Sequence, residues 1–394
     1  MKPDNRRILV IEMKTRVFTH VLFLLFFAQC CEPKGSGVAV SFSEEVICKE
    51  IDTASFEEPL KKEESLKKRS KATTRLPKEV TFEQIDTLFI GLPLTMSICG
   101  DDLFITDNYE PMIVHYNLKD RKTDKFLSKG RGPGEAQPPV ILFANPFGDN
   151  KLYRHSKQTR EIGYYLLDSL SAFVPLLKLP PEISDVIPYE NGRYLGAGIF
   201  KDEYRYKVLN EEGTVVDRFG DYPDFLAGEN TIPFNARSMF HQVKFVNSYR
   251  INKLVAKSSY VVDIIDYSVD ITKNSIKRIL LAPYDYEYDT GVGRGTWTWA
   301  QERRGMIIGA TSVACDARYI YLLFDHGLVR EENKSVKKEI WVFDWEGRPI
   351  KKLRLDMDMR KITADPFSDA HVVYGLAYES NGSDEYYIIL KINI

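Results

Sequence analysis

Several segments of the chain follow one plan: an apolar strand, a polar turn and a second strand. In CGDDLFITDNYEPMIVHYNL (Cys99–Leu118) the first strand runs to a turn at Asp107-Asn108 and the second covers Met112–Tyr116. Related units begin at Asn150 (NKLYRHSKQTREIGYYLLD), Gly192 (GRYLGAGIFKDEYRYKVLNEEG), Tyr249 (YRINKLVAKSSYVVDIIDYS) and Arg318 (RYIYLLFDHGLV, continued by KEIWVFDWEG). Strand pairs repeating at this spacing predict radially arranged four-stranded sheets, the plan of an all-β propeller. Long amphipathic helical stretches are absent from the sequence, which argues against an α/β enzyme fold.

The spacing predicts blades at Met96–Leu127, Val140–Leu179, Ile183–Phe219, Ser238–Leu281, Met306–Leu355 and Ala370–Ile394. Ile85–Leu94 has no unit of its own and is assigned to the last blade, where it would close the ring. The count is six, with seven as the rival.

The 394 residues divide into three parts. Residues 1–31 carry a basic start at Lys14 and Arg16 and an apolar run at Val21–Ala28, too short to span a bilayer, so a secretory signal is expected. Met13 would make a compact start of its own. Cys30 and Cys31 follow the run, and one of them is the expected lipidation site, despite lacking the usual small residue just before it. A plain cleaved signal is the alternative. Residues 32–75 form a charged linker, and residues 76–394 form the propeller. The formal charge of −2, with Lys and Arg dispersed, argues against nucleic acid as a partner. Cys99 and Cys315 occupy equivalent places in distant blades and are expected as buried thiols.

The segment GRGPGE (Gly130–Glu135), with the preceding strand pattern and the signal, resembles the six-bladed β-propeller lipoproteins of Gram-negative bacteria. These are described as TolB-like and are related in pattern to NHL-repeat propellers. The resemblance implies a binding module in the cell envelope, lipid-anchored at the outer membrane, and supplies no catalytic residues.

Antiparallel blades place the turn between strands two and three on the same face as the crossing to the next blade. That face is expected to gather Arg131 and Glu135 of the GRGPGE loop, His155, His241, His326 and His371, and the aromatic crossing with Tyr284, Tyr286, Tyr288, Trp297 and Trp299. Glycine-rich Gly130–Glu135 reads as a rigid corner or, through its N–H groups and Arg131, as an anion site. It lacks the helix and Lys-Ser/Thr of a nucleotide loop. Four histidines meeting at the channel would suit a divalent metal or an acidic ligand. Trp297 and Trp299 share one side of an extended segment and would offer a stacking platform or a loop cover. No nucleophile elbow and no His-Glu-x-x-His pair occurs. The expectation is therefore a propeller that binds a carbohydrate or an envelope protein, with no catalysis evident and no cofactor evident beyond a divalent metal. The alternatives are a sugar or lactone lyase or hydrolase, and a scaffold for an envelope complex.

Overall fold

The computed structural model describes residues 81–394 except 133, 145–146, 191, 269, 272–275, 290–298, 331–337 and 382–383. The signal, with Cys30 and Cys31, and the whole linker lie outside the described residues, as does Trp297.

The first strand, β1 (Thr81–Leu88), stands apart from the repeats. Blade one is β2 (Pro93–Cys99), β3 (Asp102–Asp107), β4 (Ile113–Asn117) and β5 (Lys122–Phe126). Blade two is β6 (Val140–Ala144), β7 (Lys151–Ser156), β8 (Glu161–Leu166) and β9 (Ser169–Lys178). Blade three is β10 (Ile183–Glu190), β11 (Arg193–Gly198), β12 (Tyr204–Leu209) and β13 (Val215–Asp221). A short helix, α1 (Phe234–Phe240), precedes blade four, which is β14 (Lys244–Ser248), β15 (Lys253–Lys257), β16 (Val261–Asp266) and β17 (Ile276–Leu280). The hairpin β18 (Tyr286–Asp289) and β19 (Trp299–Glu302) lies between blades four and five. Blade five is β20 (Ile307–Cys315), β21 (Tyr319–Leu328), β22 (Lys338–Asp344) and β23 (Pro349–Leu355). Blade six is β24 (Asp358–Ala364), β25 (Val372–Asn381) and β26 (Asp384–Asn393), with β1 as its outermost strand.

These make six four-stranded antiparallel sheets, the six-bladed all-β propeller expected from the repeats. The N-terminal strand does close the ring, but it covers Thr81–Leu88, while Pro93 and Leu94 already begin blade one. The inner strand of blade six was missed: β24 reads DMRKITA, whose charges mask the β pattern. α1 was also missed; it is only 7 residues long.

Two forces hold neighbouring blades together. Apolar faces interlock, as where Phe104 and Ile113 of blade one pack with Val140 and Leu152 of blade two. Polar staples then cross the seams. Tyr116 of blade one donates to Asp86 of the closing strand at 2.8 Å. Lys157 of blade two reaches Asp185 of blade three at 2.6 Å. Arg205 of blade three meets Asp263 of blade four at 3.0 Å. Lys257 of blade four donates to the Ala310 carbonyl of blade five. Lys338 of blade five meets Asp358 of blade six at 2.7 Å. A staple of this kind, once buried, is costly to break because it strands the remaining charge.

Cys315, buried at the end of β20 as expected, sits 3.3 Å from the Asn247 carbonyl, whereas Cys99 at the end of β2 is half-buried rather than buried.

Candidate functional site

The six inner strands line a central cavity of about 150 Å³. Strand direction divides it into two ends. At the crossover end, where inner strands begin, stand Asp185, Lys244 and Lys361. Toward the hairpin end the wall is formed by Ile98, Phe143, Cys315 and Ala364.

Asp185 accepts from Lys157 at 2.6 Å and from Lys244 at 3.3 Å. His155 lies behind this trio. It is 1% exposed, and neither ring nitrogen has a hydrogen-bond partner among the described residues. Burial pushes its imidazole down to about 4, with Lys157 and Lys244 adding to the shift and Asp185 opposing it. Lys361 is half-buried; burial first, then Lys244, Lys338 and Arg360, push its ammonium down to about 8. Lys257, buried one layer back, is pushed down to about 7 by burial, Lys361 and Lys244.

The histidines do not converge. His241 does lie at the crossover end, but it turns away from the channel to Glu229, 2.8 Å from its Nε2. His326 bonds Glu339 at 2.8 Å, beside the stacked Phe324 and Trp341. His371 corrects the prediction outright. It ends the hairpin between β24 and β25, so it lies on the opposite face, 2.9 Å from Asp316. The misplacement follows from the missed β24, which made His371 look like the start of an inner strand. Among the described residues no group of three or more His, Cys, Asp or Glu could hold a metal ion. The shared histidine centre required by a metal-assisted reading is therefore not formed by these residues.

The GRGPGE loop is a corner that supplies its own anion. The Glu135 carboxylate folds back to accept from the Gly132 N–H at 2.7 Å, and Gly130 N–H donates to the Ala136 carbonyl at 2.9 Å. A Cβ at Gly130 would stand 1.8 Å from Glu135 Oε2, so a larger residue there displaces the Glu135 carboxylate from its place in the corner. Arg131 is exposed at the loop's edge. Asp107 works similarly on blade one, accepting from the N–H groups of Gly91, Leu92 and Tyr109.

A network around Glu229 was not anticipated. This carboxylate, 0% exposed, accepts from His241, from Tyr284 Oη at 2.8 Å and Tyr286 Oη at 3.2 Å, and from the backbone N–H groups of Phe225 and Leu226. Burial alone would raise its pKa; the bonds from His241 and Tyr284 outweigh that and hold it below the ordinary carboxylate range. Burial pushes His241 down to about 4 although Glu229 pulls the other way, so the ring is neutral at pH 7 and donates through Nε2. Phe240 stacks on Tyr286 at 3.9 Å between centroids. The ensemble fastens the β18–β19 hairpin to α1.

That anchoring divides the aromatic crossing. Tyr284 and Tyr286 are core, whereas Tyr288 and Trp299 are 41% and 39% exposed. Tyr288 pairs with Ala300 and Trp299 with Asp289, so the tyrosines and Trp299 occupy opposite faces of the hairpin. Trp299 shares its face with Glu287, Asp289 and Gln301, and Gln301 donates to Glu287 at 3.0 Å. Phe89, Leu92 and Tyr109 add further exposed rings and aliphatic surface on the crossover face at the ring closure.

A putative exported protein from Bacteroides fragilis NCTC 9343 has a similar structure, with a TM-score of 0.50 and 14% identity over 80% of this chain and 95% of that one. A DUF4221 family member from Bacteroides vulgatus ATCC 8482 follows at 0.47 and 9% identity, over 80% and 97%. The PQQ-bound aldose sugar dehydrogenase of Streptomyces coelicolor stands at 0.42 and 12%, over 81% and 100%. At these identities the likeness speaks for the fold alone. No curated protein matches the chain in sequence. The family model described as a TolB-like 6-blade propeller matches residues 74–366, and with the six closed blades this places the chain in the TolB-like six-bladed propeller family.

Proposed function

We propose that this chain is an extracytoplasmic, lipid-anchored binding propeller that recognises carbohydrate through its crossover face. One observation carries the reading: Trp299 is exposed on a hairpin whose root is fixed by the buried Glu229 network. An indole on a hairpin anchored at its root, flanked by Asp289 and Gln301, offers a stacking surface with polar groups at its rim, which suits a sugar ring. Pre-ordering the platform lowers the entropic cost of binding. The apolar signal-like run, the cysteines Cys30 and Cys31 and the charged linker support a tether at the cell envelope, in agreement with the exported relative.

The test is an array of neutral and uronic-acid oligosaccharides probed with the full chain and with Trp299→Ala. The reading expects specific hits that the variant loses, at a melting temperature within about 2 °C of the parent, as for a surface substitution. Hits that persist undiminished would overturn it. A protein partner lost on the same substitution would replace carbohydrate with an envelope protein as the ligand.

A further inference from the structure

We infer that the crossover end of the central channel is a binding site for an oxyanion, a carboxylate or phosphate held between Lys244 and Lys361. It shares a face with the aromatic hairpin but none of its residues, so either reading can fail alone.

The case begins with charge. Lys157, Lys244, Lys257 and Lys361 gather around this end of the channel, and the carboxylate among them is Asp185. Asp185 bridges Lys157 and Lys244, and among the described residues Lys257 bonds only to the Ala310 carbonyl. Lys361 has no hydrogen bond or ion pair among the described residues, although it lines the cavity. Nearby Lys338 and Arg360 are already balanced by two carboxylates: Asp358 lies 2.7 Å from Lys338 and 2.5 Å from Arg360, and Asp325 lies 3.5 Å from Lys338. His155 adds no positive charge at neutral pH, being pushed down to about 4.

Lys244 belongs to blade four and Lys361 to blade six, so their repulsion acts across the channel. Holding the unpaired Lys361 ammonium beside Lys244 in a partly desolvated cavity is unfavourable, and an anion between the two lysines removes the penalty. At about 150 Å³ the cavity is smaller than the pockets of roughly 300–1,000 Å³ that enclose drug-sized ligands. It has room for a small acid or for the acidic end group of a larger molecule. The charges facing Lys361 are Lys244 across the channel, Lys338 of blade five and Arg360 on its own strand; those facing Lys257 are Lys361 and Lys244. A bound oxyanion favours the protonated lysine, so its affinity falls as pH rises through about 8.

The experiment is calorimetric titration and thermal melting of the full chain with glucuronate, with inorganic phosphate, with glucose, and with sodium chloride at matched ionic strength. At least one of the two oxyanions should bind and raise the melting temperature, while glucose and chloride do not. Glucuronate alone identifies a carboxylate ligand, phosphate alone a phosphate, and both a general oxyanion site. Lys361→Gln should weaken binding at least tenfold while melting no lower than the parent, since it removes an unpaired charge. Lys244→Gln, on a half-exposed side chain, is the second variant should the first fail to fold, and it too should weaken binding. Absence of binding by both oxyanions, or unchanged affinity in a folded lysine variant, overturns the site.

Discussion

Arg205 Nη1 lies 3.0 Å from Asp263 Oδ2, with the two side chains 1% and 0% exposed, across the seam between blades three and four. Arg278 holds the other oxygen of the same carboxylate at 2.8 Å, and Tyr206 Oη donates to Oδ2 at 2.6 Å. One aspartate thus binds two arginines and a buried phenol.

Asp263→Asn should therefore destabilise by about 3–5 kcal/mol, because it leaves buried guanidinium charge uncompensated. Burial would raise the Asp263 carboxyl, but Arg278 and Arg205 hold it below its ordinary value. A carboxyl depressed in the folded state contributes stability above its unfolded pKa, near 3.9, and loses it as pH falls through the folded value. Chemical unfolding between pH 2 and 7 should show the variant with a shallower acid loss than the parent.

Ring closure makes a second prediction. β1 pairs with β26 along Thr81–Leu88, and Tyr116 is tied to Asp86. Removing residues up to Leu88 would leave β26 as an unpaired edge, so the truncated chain should lose monodispersity by light scattering and melt well below the parent. Tyr116→Phe alone should cost about 1 kcal/mol, as for a single hydrogen bond.

The repeat pattern was legible because each blade restates it: DLFITD, KLYRHS and YIYLLFDHGL announce themselves as second strands. β24 escaped because DMRKITA carries the charges that the channel and the seams need. That same omission sent His371 to the wrong face. Of the candidate site residues, His155, His241 and His326 lie on the expected face, but His241 and His326 turn to separate carboxylates and the buried His155 ring bonds to none of the described residues. Lys244, Lys361 and Asp185 were overlooked because each reads as an ordinary strand charge within its own blade, and only ring closure brings them together. Glu229 gave no signal either, since its partners lie 12 and 55 residues away.

Acid sensitivity should have a histidine component. His155 and His241 are both pushed down to about 4 by burial, against about 6.5 in an unfolded chain. Between those values the unfolded state binds more protons, by up to about two, so stability falls as pH drops from 6.5 toward 4. Around His155 the charged neighbours are Asp185, Lys157 and Lys244. Since its ring makes no hydrogen bond, His155→Phe should cost under about 1.5 kcal/mol and reduce the slope by about one proton.

The GRGPGE corner should behave as one unit. Gly130→Ala drives a Cβ into the Glu135 carboxylate, and Glu135→Ala removes that carboxylate. Denaturation of the two single variants and the double should give a non-additive cycle, with the glycine substitution milder once Glu135 is gone. A coupling of about 1 kcal/mol is expected for groups in such contact.

The most direct measurement for the account as a whole is oligosaccharide binding by the full chain, followed by indole fluorescence and compared with Trp299→Ala. Recognition through the crossover face predicts saturable binding by the parent and loss of at least tenfold in the variant, with both melting alike. Equal binding by the two folded proteins would contradict it.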